Sequence, residues 1–176
     1  MATAEQIHEE IRKKLANTFR SLPPILGEEV VNFAQNSFDQ EAWSGHSQEV
    51  WPKRKNPTKW GKKDDTSRNL LVKSGALRRS IRVSRTEGPR FWVSAGGTGI
   101  NYARVHNEGF RGPVKQHVKP FTRTVKGKKQ KVKAHDRTIH QNIPQRRFIG
   151  GFQHSPYLAA RLRRVALAEL KHGLKS

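Results

Sequence analysis

One stretch of thirty residues, 111–140, limits what this chain can fold into more than any other. Ten of its residues are basic (Arg111, Lys115, Lys119, Arg123, Lys126, Lys128, Lys129, Lys131, Lys133 and Arg137) and one, Asp136, is acidic. Val114, Val118, Phe121, Val125 and Val132 are too few to enclose a core against that charge. The stretch must therefore lie on a surface or stay unfolded. Lys126, Gly127 and Lys128 place a turn at its centre, which points to a protruding β-hairpin arm over 111–142, with disorder as the alternative.

The core must come from the other segments. A chain of 176 residues with 34% hydrophobic content has room for one domain and a modest core. Charge is split along it. Residues 1–50 carry 4 basic and 8 acidic side chains, whereas 51–176 carry 31 and 6, so a net −4 precedes a net +25. A surplus of this size suits a polyanionic partner, or sister copies whose acidic N-terminal face meets a basic one. With no cysteine, a disulfide framework, a thiolate metal site and a cysteine nucleophile are all excluded. No apolar run approaches the roughly 18 residues a membrane span needs, and the first thirty residues fit neither a signal nor a transit peptide. The expectation is a soluble protein with no membrane partner.

Ile7, Ile11, Leu15 and Phe19 recur every four residues behind a Thr3/Gln6 capping box, the pattern of an amphipathic helix. Pro23 and Pro24 are expected to end it, with a second helix resuming after Gly27 and running to about residue 37. From Phe38 to Trp60 periodicity fails. Trp43, Trp51 and Trp60 there read as anchors pinning a loop to the core, rather than as base-stacking platforms beside Lys53, Arg54, Lys55 and Lys59. Residues 62–69 read as a polar, mobile segment. Ser74 then caps a short turn at 75–80, and a hairpin over 81–95 turns at Thr86–Pro89, presenting Ile81, Val83, Phe91 and Val93 to the core. Gly96, Gly97 and Gly99 lack the Lys and Ser or Thr of a phosphate-binding loop and read as a sharp backbone turn. Beyond the arm, Ser155 and Pro156 open a last helix whose Leu158, Leu162, Val165, Ala166 and Leu170 share a face.

The fold class expected is therefore α+β, with N-terminal helices and a C-terminal helix packed on a small antiparallel sheet. Its sections are a helical segment (1–37), a loop and β core (38–110), the arm (111–142), and a core return with the last helix (143–176). No catalytic constellation stands out. Asp64 and Asp65 are adjacent in a polar stretch, Glu108 and Asp136 are isolated, and His106, His117, His135, His140 and His154 lack the helical spacing of a zinc site. Ser74, Ser80 and Ser94 lack a nucleophile-elbow context. The expectation is a protein that is no enzyme and needs no cofactor or metal.

Three ordered segments, LVKSGALRRSIRV at 71–83, INYARVHNEGF at 100–110 and IPQRRFIGG at 143–151, resemble the phage virion morphogenesis family of Mu-like phages, related to tail completion proteins. The matching positions are Ser74, Gly75, Leu77 and Ile81, then Tyr102, Ala103, His106 and Gly109, then Pro144, Arg146, Phe148 and Gly150. Their physical reading is structural. Leu77 and Ile81 enter the core, Tyr102, Ala103 and Val105 form a buried turn closed by Gly109 at positive φ, and Pro144 stiffens the return that brings Phe148 back. The resemblance implies a subunit of a neck ring, six copies by family likeness, between head connector and tail terminator or tube, with packaged DNA touching it only non-specifically. The cations of the arm, Lys115 to Arg137, are then its interface or lumen side chains. A non-specific nucleic-acid-binding protein is the rival reading.

Overall fold

The computed structural model describes residues 3–53 and 69–175. Arg54, Lys55, Lys59, Trp60, Asp64, Asp65 and most of the polar segment 62–69 lie outside the described residues. The architecture is α+β: among the described residues there are two long helices, two short ones and four two-stranded antiparallel ladders.

Helix α1 (Ala4–Gln40) opens on the capping box read from sequence. Thr3 Oγ1 accepts the Gln6 N–H at 3.3 Å and Gln6 Oε1 accepts the Thr3 N–H at 2.9 Å. The two helices expected around Pro23 and Pro24 are one continuous helix. Each proline removes a single i−4 bond, and the carbonyls deprived of a donor belong to Phe19 and Arg20, both at exposed positions, where an unpaired carbonyl costs little. What holds the second half is packing. Val30 and Phe33 sit in one buried cluster with Trp43, Leu158 and Leu162. Val31, Ala34 and Phe38 sit in another with Trp51, Leu77, Ile81, Ala103 and Phe148. A helix buried on two sides outlasts a local break.

The tryptophan loop is more regular than expected: β1 (Ala42–Ser44) pairs with β2 (Gln48–Val50). Trp43 and Trp51 are buried anchors, their indole N–H groups donating to His154 O (3.2 Å) and Arg147 O (2.9 Å). Helix α2 (Ala76–Arg79) follows, with Gly75 rather than Ser74 at the N-cap, at φ +71. Ser74 sits one residue earlier, its Oγ accepting the Ala76 N–H at 3.4 Å. The hairpin of β3 (Arg82–Glu87) and β4 (Arg90–Ser94) has a bulge between Val83 and Arg85. It lies close on α1: a Cβ at Gly27 would stand 2.8 Å from Val83 Cγ2, so this contact needs glycine.

Helix α3 (Ala103–Glu108) ends at Gly109, whose φ is +77. Tyr102, expected to be buried, is exposed at the N-cap, its ring edge-on to His106. After β5 (Phe110–Val118), β6 (Phe121–Val125), β7 (Lys128–Val132) and β8 (His135–Ile143), the chain re-enters the core at Phe148. A 3-10 turn at Phe152–His154 precedes α4 (Pro156–Lys175), which packs along α1. Ser155, fully buried, caps α4: its Oγ accepts the Leu158 N–H (3.0 Å) and donates to Ser44 O (2.6 Å).

Candidate functional site

The three motif segments converge in space. Leu77, Ile81, Ala103 and Phe148 share one buried cluster, and hydrogen bonds stitch the segments together. Ser80 Oγ donates to Leu77 O at 2.6 Å and accepts the Gly96 N–H at 2.9 Å, tying α2 to the glycine turn. Asn107 Oδ1 accepts the N–H groups of both Phe148 and Ile149 at 3.0 Å, and the Arg146 N–H donates to His106 O at 2.8 Å. The Arg146 guanidinium, itself buried, donates from Nε and Nη2 to Pro52 O at 3.0 and 2.7 Å. Motif residue Gly150 lies beside the Trp43 ring. Asn107 does not stand out in the sequence, because an amide in a polar helical turn carries no local sign of a long-range acceptor role.

Between these segments lies a cavity of about 440 Å³, lined by the 70–77 run and by Tyr102, His106 and Arg146. Among the described residues its lining holds cations and no carboxylate. His106 Nδ1 is buried there with no hydrogen-bond partner among the described residues. Burial first, and the Arg146 charge second, hold the imidazolium below the ordinary histidine range. Folding therefore favours neutral His106. The stability it contributes is complete above the unfolded value of about 6.5 and is lost as pH falls from there through the depressed folded value. We expect His106→Gln to flatten the fall in melting temperature between about pH 7 and 5; equal slopes in variant and parent would contradict this assignment. Among the described residues no group of three or more His, Asp or Glu is placed to hold a metal ion.

The cationic side chains lie elsewhere, on β5–β8. Ladder β5–β8 runs from Phe110↔Ile143 to Val118↔His135, and ladder β6–β7 from Phe121↔Val132 to Val125↔Lys128. Val118 and Phe121 are three residues apart, as are Val132 and His135, so one register runs unbroken through both ladders. Lys126 (φ +48) and Gly127 (φ +77) close it as a two-residue turn. Lys115, Lys119, Arg123, Lys126, Lys128, Lys129, Lys131, Lys133 and Arg137 are all exposed. Side chains pair with one another across the strands of the ribbon: Arg137 donates to Gln116 Oε1 (3.1 and 2.8 Å), Arg123 to Gln130 Oε1 (3.1 Å), and His117 Nδ1 lies 2.7 Å from Asp136 Oδ1.

Side chains alternate across a two-stranded ribbon. Phe110, Val114, Val118, Ile139 and Ile143 therefore share one face near the base. Phe121, Val125 and Val132, offset by an odd number, fall on the other face towards the turn. In the sequence Val114, Val118, Phe121, Val125 and Val132 read only as too few for a core. Their division between faces follows from register, which composition does not contain.

Comparison with known proteins agrees with the motifs. The model of the phage virion morphogenesis family matches residues 2–157, spanning all three motif segments and the ribbon. No curated protein and no solved structure matches the chain. With a match over most of its length and the family's three segments joined around one core, the chain belongs to the phage virion morphogenesis family.

Proposed function

We propose that this chain is a structural subunit of the head–tail neck, a tail completion or head–tail joining protein that works by binding and not by catalysis. Six copies form a ring that meets the head connector on one side and the tail terminator or tube on the other, after assembly in the host cytoplasm. The observation that carries this reading is the ribbon 110–143. It pairs only within itself among the described residues and displays ten Lys or Arg side chains to solvent. Open strand edges and uncompensated charge are surfaces for neighbours, not for a substrate. Family membership supplies the setting.

A phage with this gene disrupted tests the reading. Filled heads and complete tails should accumulate unjoined, and the purified chain should restore joining in the mixed extract. Joined, infectious particles without the chain would overturn it.

The ribbon's charge also suits loose contact with packaged DNA. Lys126, Lys128, Lys129 and Lys131 surround the turn, and lysine's hydrated point charge suits weak, sequence-blind phosphate contact better than arginine's bidentate fork. We expect the free chain to bind unrelated duplexes equally and with steep salt dependence. Changing all four lysines to Gln should flatten the slope of log K against log salt by at most about 4 units, near 0.9 for each phosphate that is no longer neutralised. A marked preference for one sequence would favour a dedicated nucleic-acid-binding protein instead.

A further inference from the structure

On the return strands of the ribbon every second residue from 129 to 137 is a lysine, a histidine or an arginine: Lys129, Lys131, Lys133, His135 and Arg137. Between them stand Gln130, Val132, Ala134 and Asp136, none of them basic. A period of two is the repeat of a strand, and it puts all five side chains on one face. Because one register runs through both ladders, the row passes from β7 to β8 without changing sides. All five side chains are exposed. Across the ribbon the paired positions are Thr124, Thr122, Val118 and Gln116, all uncharged. Arg137 Nε and Nη2 both donate to Gln116 Oε1, which fixes the base end of the row.

The two faces of the ribbon differ in how their charge is spaced. Neighbouring members of the row stand about 6–7 Å apart, and the row is about 26 Å long, at 3.3 Å per residue. That step is shorter than the Debye length of about 8 Å at physiological salt, so the row acts as one continuous field. On the opposite face Lys115, Lys119 and Arg123 recur every four residues, about 13 Å apart, and are screened from one another. The His117–Asp136 pair and Phe121 lie between them, and Lys128 is set beside Val125. Asp136, the one acid between 111 and 140, thus faces away from the row.

We propose that this row is the surface on which the phosphate backbone of DNA lies, with Lys129, Lys131 and Lys133 each neutralising a phosphate. This rests on the DNA contact proposed above and names the face that makes it; of the four lysines around the turn, Lys129 and Lys131 carry the contact. A nucleic-acid strand is itself a line of evenly spaced single charges, of the opposite sign. Docking of an acidic protein would draw on apolar contact at the centre of its interface. The positions of ladder β6–β7 on this face are Thr122, Thr124, Lys129 and Lys131, which offer hydroxyls and charge instead.

Two triple variants that remove equal charge from opposite faces test the assignment. One is Lys129→Gln with Lys131→Gln and Lys133→Gln; the other is Lys115→Gln with Lys119→Gln and Arg123→Gln. Binding of the full chain to a labelled mixed-sequence duplex is followed by fluorescence anisotropy over a series of salt concentrations. The row variant should flatten the slope of log K against log salt by about 2.7 units, near 0.9 for each phosphate lost, and the opposite variant by less than 1. Exchanging the three row lysines for arginine should keep the slope within about 0.5 units of the parent, which separates charge from misfolding. Equal flattening by both triples, or loss of the slope in the arginine variant, overturns the row and leaves the loose DNA contact standing. A parent chain with no salt-dependent DNA binding overturns both. A row variant that binds DNA like the parent yet no longer enters particles assigns the row to an acidic neck protein and overturns the proposal.

Discussion

Truncating Phe148 to alanine is expected to lower the melting temperature of the isolated chain by about 6–20 °C. Phe148 is fully buried, and its ring centroid lies 5.1 Å from that of Phe38, the side chain at the centre of the larger cluster. Removing a buried phenylalanine ring costs about 3–5 kcal/mol in lost transfer energy and cavity formation. For a domain of this size each kcal/mol shifts the midpoint by about 2–4 °C. That loss is a large share of the roughly 5–15 kcal/mol by which such domains are stable. The site cannot collapse readily, because the Phe148 and Ile149 N–H groups are fixed on Asn107 Oδ1 and the neighbouring Arg146 on Pro52 O. Thermal unfolding followed by circular dichroism checks it. A shift under about 3 °C would mean that the three motif segments are not joined through this residue.

The opposite pattern is expected when the ribbon is removed. Deleting Lys115–Arg137 and joining Val114 to Thr138 through a short glycine turn takes away nine Lys or Arg and Asp136, so the formal charge falls from +21 to +13. No residue in that span belongs to either buried cluster. The melting temperature should therefore stay within about 3 °C of the parent, or rise as like charges are removed. Incorporation into particles should be abolished. The two variants separate the tasks of the chain: one breaks the body and spares the ribbon, the other removes the ribbon and spares the body. Normal infectious particles assembled with the deleted chain would contradict the role given to the ribbon.

What was legible in the sequence was mostly local. The Thr3/Gln6 capping box, the Pro156 start of α4 and the Trp43 and Trp51 anchors each depend on residue type and a few neighbours, and each stands where it was read. Pro23 and Pro24 misled because their effect is also local, whereas the helix around them is held by partners as distant in sequence as Leu158 and Phe148. Tyr102 looked like a core aromatic, yet its place at the N-cap of α3 turns it outward. Asn107, the acceptor that joins two of the motif segments, was invisible because its donors lie about forty residues downstream. The same holds for the switch of the ribbon's apolar face between Val118 and Phe121, which needs the pairing register and not the composition.

On the function proposed above, this chain enters the virion as a repeated structural subunit of the neck. Quantitative mass spectrometry of purified particles, using an isotope-labelled copy of the chain as internal standard and a capsid protein of known copy number as reference, tests it most directly. Six copies per particle are expected, retained when tails are sheared off with the neck and missing from heads purified before joining. A single copy, or no copy in particles that remain infectious, would contradict it.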